Sequence, residues 1–216
     1  MGLILGTSAH GKSVREVRLI EIYVFPIKSC AGMATDRWKM NSKTGKLLFD
    51  REFALVDSSG AALRLCQYPS MGSIKSSIDM ESSTLDIQAP GKPKLMVNLD
   101  FDGSANPMTR QIKVCGNRCR GELWGSPAVS RWFSEYLGVQ CWLARSNQGK
   151  YDLPQELEIN REGIQKKGRI GFENEAPILL LSQSSIDILN QVLTERQSRS
   201  VTSRHFRPNL VVSTGW

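Results

Sequence analysis

Val17-Arg-Leu-Ile-Glu-Ile-Tyr-Val-Phe25, running on into Pro26-Ile27-Lys28-Ser29-Cys30, is the stretch from which the fold is read. Its β-branched and aromatic residues favour an extended strand. Pro26 has no N–H to give to a sheet ladder and holds Phe25 extended, so the strand is predicted to stop near Phe25. Lys28, Ser29 and Cys30 then fall where strand becomes loop. Polar groups held at the end of a rigid strand are well placed to meet a small molecule; the plainer reading is a strand end with a solvated lysine.

Outward from there, Val17 to Cys115 is a series of short strands and turns without a long segment of helical period, which reads as all-β. Arg51, Phe53 and Leu55 alternate with Glu52, Ala54 and Val56, and Asp57-Ser-Ser-Gly60 is a turn returning the chain through Ala61 to Leu65 as a hairpin. Further strands are predicted at Met71 to Ile78, Thr84 to Gln88, Lys94 to Leu99 and Gln111 to Cys115. A helix starts after Ser126-Pro127, with Val129, Trp132, Phe133, Tyr136 and Leu137 on one core-facing side and Gly138 as its stop. Val139 to Ala144 reads as a strand, Arg145 to Arg169 as a long mobile loop, and Pro177-Ile-Leu-Leu-Leu181 as a buried strand. Ser182 or Ser184 is placed to cap a second helix with Ile186, Leu189 and Leu193 on one face; Thr194 to Ser203 reads as an exposed connection and Asn209 to Val212 as a last strand. The fold class is mainly β with a few helices (α+β), beginning with a β-barrel-like lobe.

The 216 residues suffice for one large domain or two small ones, and 40% hydrophobic residues supply a core. Lys plus Arg number 28 against 21 acidic residues; the net charge of +7 favours an anionic partner such as phosphate, an anionic cofactor or nucleic acid. Nucleic acid falls behind, because the densest basic clusters, Gln165 to Arg169 and Arg196 to Arg207, are not interleaved with aromatics. Five cysteines, an odd set without a secretory signal, predict a reduced, cytoplasmic compartment. Leu3-Ile-Leu5 is too short for a signal core or a membrane span, and Gly6 stands where myristoylation wants Ser or Thr.

Gly6-Thr-Ser-Ala-His-Gly11-Lys12-Ser13 fits the P-loop pattern, in which backbone amides cradle phosphates. A P-loop needs a buried strand before it and a helix after it, and three apolar residues make a poor core strand. Phe53-Ala-Leu-Val-Asp57 matches a Walker B strand no better than it matches any hairpin strand. Cys115-Gly-Asn-Arg-Cys119 has a zinc-like spacing without a second close cysteine pair, and the only histidines are His10 and His205, so two ordinary thiols fit better. Neither a nucleophile elbow nor paired carboxylates are marked. What remains is a set of cations at strand ends: Lys28, Arg51 in Phe49-Asp50-Arg51, and Arg204 and Arg207 in Arg204-His-Phe-Arg-Pro-Asn209. Arginine forks bind phosphate bidentately and lysine acts as a point charge, so their convergence would seat a phosphorylated ligand; separate surface ion pairs are the simpler alternative.

Taken in order, Tyr23-Val-Phe-Pro-Ile-Lys-Ser-Cys30, Leu47-Leu-Phe-Asp-Arg51, Gln67-Tyr-Pro69, Phe172-Glu-Asn-Glu-Ala-Pro-Ile-Leu-Leu-Leu-Ser182 with Ser185, and Phe206-Arg-Pro-Asn209 resemble MOSC proteins. Within these, the chain is similar to the C-terminal part of the eukaryotic molybdenum cofactor sulfurase family, and Phe172 to Pro177 and Val114 to Cys119 look more like that branch than the amidoxime-reducing one. The resemblance implies an N-terminal extension over 1–16, a MOSC N-terminal β-barrel domain over 17–120 and the start of a MOSC domain over 121–216. It implies a ligand too, the molybdenum cofactor (molybdopterin), a pterin carrying a phosphate and a dithiolene that holds molybdenum. Lys28, Arg51, Arg204 and Arg207 would offset its anionic charge, Ser29 would donate a hydrogen bond, and Asn209 would order the loop or the ligand. In full-length members a pyridoxal-phosphate domain takes sulfur from cysteine as a persulfide. Sulfur then replaces an oxygen ligand of molybdenum, activating xanthine dehydrogenase and aldehyde oxidase type enzymes; these molybdenum hydroxylase apoenzymes are the implied partners, with no membrane.

The sequence departs from that family pattern in two places. No pyridoxal-phosphate domain precedes Val17, and the family's MOSC cysteine lies downstream of Arg-Pro-Asn, where this sequence stops seven residues after Asn209 without a cysteine. Cys30 has no mark of a sulfur carrier, and Cys66 stands beside Gln67 where relatives usually carry a different residue. A truncated MOSC domain with unpaired edges and exposed apolar residues is therefore expected. The readings carried forward are the cofactor-binding region of a sulfurase, a non-catalytic cofactor carrier, and an amidoxime-reducing-like molybdenum oxidoreductase, which would need a metal-ligating cysteine, with P-loop nucleotide binding ranked fourth.

Overall fold

Val17–Val24 forms the first strand, β1, which ends just before Phe25 as Pro26 requires. The computed structural model describes residues 17–42, 44–100, 109–114, 117–146, 158–160, 163–165, 172 and 176–214. After β1 come β2 (Met33–Thr35), β3 (Phe53–Val56), β4 (Lys75–Asp79), β5 (Thr84–Gln88), β6 (Leu95–Asn98), β7 (Thr109–Val114), β8 (Asn117–Leu123), α1 (Pro127–Leu137), β9 (Trp142–Ser146), β10 (Glu158–Asn160), β11 (Gly163–Gln165), β12 (Leu180–Ser182), α2 (Gln183–Glu195), α3 (Ser203–Phe206) and β13 (Leu210–Thr214). The chain divides into a smaller unit, Met1–Tyr23 with Ala34–Lys39 and Ile178–Trp216, and a larger one, Val24–Met33 with Met40–Pro177. β8 runs across the 120/121 division read from the sequence; the P-loop-like segment lies outside the described residues.

In the larger unit an antiparallel sheet has the order β3-β9-β8-β7, and β4-β5-β6 forms a second. The hairpin expected between β3 and residues 61–65 forms over a short span, with Val56 bridging Ala62, Asp57 N–H donating to the Ala61 carbonyl at 3.0 Å and Leu63 N–H to the Leu55 carbonyl at 2.8 Å; the longer partner of β3 is β9, from Phe53 opposite Arg145 to Val56 opposite Trp142. Residues 60–62 also serve a second strand, because Ala62 N–H and Gly60 C=O both bond Lys113 of β7 (2.9 Å each). The short segment thereby joins the two outer strands of the four-stranded sheet, as a barrel does to remove open edges. Gly60 makes this possible: its φ is +77°, and a Cβ there would lie 2.7 Å from the Gln111 carbonyl oxygen.

Ala54, Val56, Ile112, Val114, Cys119, Ala144 and Phe172 fill a core against this sheet. The aromatic stripe of α1 is core as expected: Val129, Trp132 and Phe133 are buried, and Trp132 Nε1 donates to the Pro93 carbonyl at 2.9 Å. Gly138, at φ +67°, ends the helix. Ser126 and Ser182 stand at N-cap positions, yet neither hydroxyl makes a capping bond.

Three other elements differ from expectation. Met71 to Ile78 is split, with a 3-10 turn at Pro69–Ser73 started by Pro69 before β4 begins. Inside the stretch read as a mobile loop, β10 and β11 pair from Glu158 opposite Gln165 to Asn160 opposite Gly163; three-residue strands show too few alternations to register as periodic. β12 is not buried: Leu179 and Leu180 are 46% and 57% exposed.

The smaller unit has the sheet order β12-β13-β1-β2. β13 is antiparallel to β1 and parallel to β12, and α2 supplies the crossover that parallel pairing requires, packing on both β12 and β13. Ile186 is its buried anchor. Among the described residues no helix is long and apolar enough to cross a membrane.

Candidate functional site

The loop after β1 is built by reciprocal backbone bonds with the segment that enters β3. Phe53 N–H donates to the Pro26 carbonyl at 3.0 Å, Lys28 N–H to the Phe53 carbonyl at 2.8 Å, and Arg51 N–H to the Phe25 carbonyl at 2.7 Å. Proline thus contributes its acceptor where it lacks a donor. Three non-glycine residues in these loops have left-handed backbones: Ser29 (φ +69°), Phe49 (φ +62°) and Arg51 (φ +49°). Such conformations cost of order 1–3 kcal/mol each and persist only where the surroundings impose them, which marks the loop pair as a candidate site.

Asp50, between two of these residues, ties the two loops together. Its carboxylate is 1% exposed; one oxygen accepts the Phe25 N–H at 2.8 Å and the other pairs with the Arg51 guanidinium. The guanidinium also lies 4.9 Å from the centre of the Phe25 ring. Lys28 is 8% exposed, and the Ser29 hydroxyl donates to the Leu63 carbonyl at 3.3 Å. The backbone pairing therefore sets the segments carrying Lys28, Ser29 and Arg51 side by side at one strand end, and Cys30 is fully buried.

A further arginine unmarked in the sequence reading belongs to this unit. Arg145 on β9 bonds Glu52 and the Leu99 carbonyl, both at 2.6 Å, with its guanidinium 4.4 Å from the Trp124 ring centre and 5.4 Å from that of Phe53. Spacing along the chain could not show this, because Arg145 meets Glu52 across the β3–β9 pairing.

Arg204, Arg207 and Asn209 lie in the smaller unit. Arg204 Nε donates to the Tyr23 hydroxyl at 3.4 Å, and that hydrogen bond raises the guanidinium's already high pKa. Ser203 beside it donates to Glu21 at 2.6 Å. Arg207 has a left-handed backbone, φ +56°, at the end of α3. Asn209 is fully buried: Nδ2 donates to the Tyr23 carbonyl at 3.3 Å and Oδ1 accepts the Leu179 N–H at 3.1 Å, so its amide holds β1 and the start of β12.

Among the thiols, Cys119 is buried and donates to the Ile112 carbonyl at 3.4 Å, while burial pushes the Cys141 thiol up. Cys66 is exposed beside Gln67, and Cys115 lies outside the described residues. Among the described residues, no group of three His, Cys, Asp or Glu side chains is placed to hold a metal ion.

A mainly β domain whose strand-end loops present buried or half-buried cations is the class these features define. The MOSC N-terminal beta barrel domain family matches residues 16–140, and the chain belongs to that family. It is 32% identical to a molybdenum cofactor sulfurase of Oryza sativa subsp. japonica over 94% of this chain and 25% of the relative, and 34% identical to one of Arabidopsis thaliana over 91% and 24%. The chain thus spans about a quarter of the length of these curated relatives. A solution structure of a Bordetella bronchiseptica protein matches 61% of this chain and 92% of its own at 18% identity, with a TM-score of 0.45.

Proposed function

We propose that this chain is the cofactor-holding region of a molybdenum cofactor sulfurase, binding the phosphorylated pterin on which sulfur is exchanged. The observation that carries the reading is the loop pair around Asp50, where Lys28 and Arg51 are fixed beside one strand end in a chain similar to molybdenum cofactor sulfurases nearly end to end. Each unit offers groups of the kind such a ligand needs: Lys28 and Arg51 with the Ser29 hydroxyl in the larger unit, and Arg204 and Arg207, with Asn209 ordering its own segment, in the smaller. The donor set fits such a group, because cations and hydroxyls bind phosphate while the cofactor's own dithiolene holds molybdenum. When bound, the cofactor supplies the molybdenum ligand position at which sulfur replaces oxygen. Molybdenum hydroxylase apoenzymes are the proposed recipients, and the cytoplasm the proposed compartment.

The test is to purify the chain with the cofactor available and to quantify molybdenum and extractable pterin beside Lys28→Ala/Arg51→Ala and Arg204→Ala/Arg207→Ala variants. The expected result is near-stoichiometric cofactor in the wild type and its loss from the Lys28→Ala/Arg51→Ala variant, with the Arg204→Ala/Arg207→Ala variant reporting separately on the cations of the smaller unit. A folded wild type without cofactor overturns the reading. With cofactor bound, sulfuration of it from a supplied persulfide donor distinguishes a sulfurase region from a carrier module.

A further inference from the structure

β7 and β8 form a hairpin whose two faces differ sharply. Ile112, Val114 and Cys119 point into the core, while Gln111, Lys113, Arg118 and Arg120 are all exposed. The register sets Lys113 directly opposite Arg118 and Gln111 directly opposite Arg120, so three cations occupy one small area of the outer face. Like charges directly opposite each other destabilise an antiparallel pair. Among the described residues none of the three makes an ion pair; Lys113 feels the Asp57 carboxylate only at longer range, and Glu122 on the same face of β8 bounds the row. A row of like charges that Asp57 and Glu122 offset only in part fits an external anionic partner.

We infer that this outer face of β7 and β8 is a docking surface for an acidic patch on another protein. The face is rigid, because the core holds its underside and residues 60–62 clamp the outer edge of β7. It carries no exposed aromatic on which a base would stack, which disfavours single-stranded nucleic acid. Opposed charges on a rigid surface raise association rates and fix orientation more than they raise affinity, as suits a transient encounter. This surface stands independently of the cofactor reading.

Poly-L-glutamate immobilised on a sensor is the probe, with duplex DNA and phosphatidylserine vesicles as parallel arms. Lys113→Glu/Arg118→Glu/Arg120→Glu is compared with Arg64→Glu/Lys75→Glu/Arg131→Glu, which alters net charge equally at exposed positions elsewhere in the same unit. The expected result is salt-sensitive binding to poly-L-glutamate that the patch variant weakens by about tenfold and the control by less than about twofold. Arg118→Glu alone turns the directly opposed pair into one of opposite charge, so its melting temperature is expected to hold or rise while binding falls. Equal losses in both triple variants, no binding by the wild type, or patch-dependent binding to DNA or vesicles that exceeds binding to poly-L-glutamate each overturn the proposal.

Discussion

Asp50 in the larger unit and Asn209 in the smaller solve the same problem in different ways. Both are buried polar side chains that bond the main chain near the end of β1: Asp50 takes the Phe25 N–H, and Asn209 gives to the Tyr23 carbonyl. Asp50 is charged and uses its second oxygen on Arg51, whereas Asn209 is neutral and uses its carbonyl oxygen on the Leu179 N–H. A buried carboxylate must have a cation, so the Asp50 loop is committed to presenting Arg51. A buried amide needs no cation, and Arg204 holds its place through a part-buried contact with Tyr23. Arg51 and Arg204 therefore differ in how firmly they are fixed.

Removing Asp50 should break this comparison most severely. Asp50→Ala leaves Arg51 without its carboxylate and the Phe25 N–H without an acceptor, and we expect a loss of about 3 kcal/mol in urea unfolding followed by fluorescence of the larger unit's tryptophans. Asp50→Ala/Arg51→Ala should recover part of that loss, because the uncompensated charge is gone; no recovery would show that the ion pair is not the source. Asn209→Ala should cost roughly 2 kcal/mol from two buried backbone bonds, seen as faster amide exchange at Leu179 and in β13 while the larger unit keeps its protection. Asp57 sharpens the comparison at the smallest scale, since its carboxylate takes the N–H groups of Ser59 and Ala61 and the Ser59 hydroxyl within one turn. Burial pushes that carboxyl up, but the Ser59 and Ala61 bonds and the Lys113 charge outweigh it and hold it below the usual range. A depressed folded-state pKa contributes stability above the unfolded value that is lost as pH falls. Wild type should therefore lose stability more steeply than Asp57→Asn on acidification below about pH 4, with a difference near neutrality of less than about 1 kcal/mol because solvent screens the carboxylate.

Much of the fold was legible because it rests on local rules. Pro26 stops β1, Ser126-Pro127 and Gly138 bracket α1, and alternation marks Thr84–Gln88 without error. β8 escaped notice because Asn117-Arg-Cys-Arg-Gly-Glu-Leu123 is poor in strand formers, and pairing with β7 and β9 places it. Lys28 and Arg51 were legible as cations flanking strands, whereas Asp50 was passed over as part of a motif. Nothing in its neighbours along the chain reveals that it is buried.

By itself the sequence determined the apolar periods, the stops and turns, and the residues able to meet an anion, because these follow from side-chain chemistry and backbone limits that act within a few positions. Tertiary structure alone decided that β3 pairs with β9, that residues 60–62 join β3 to β7, that Arg145 meets Glu52, and that Lys113 faces Arg118 on an outer surface. Those are contacts between segments whose register is set by burying both strands' apolar faces at once, and no single segment contains that information.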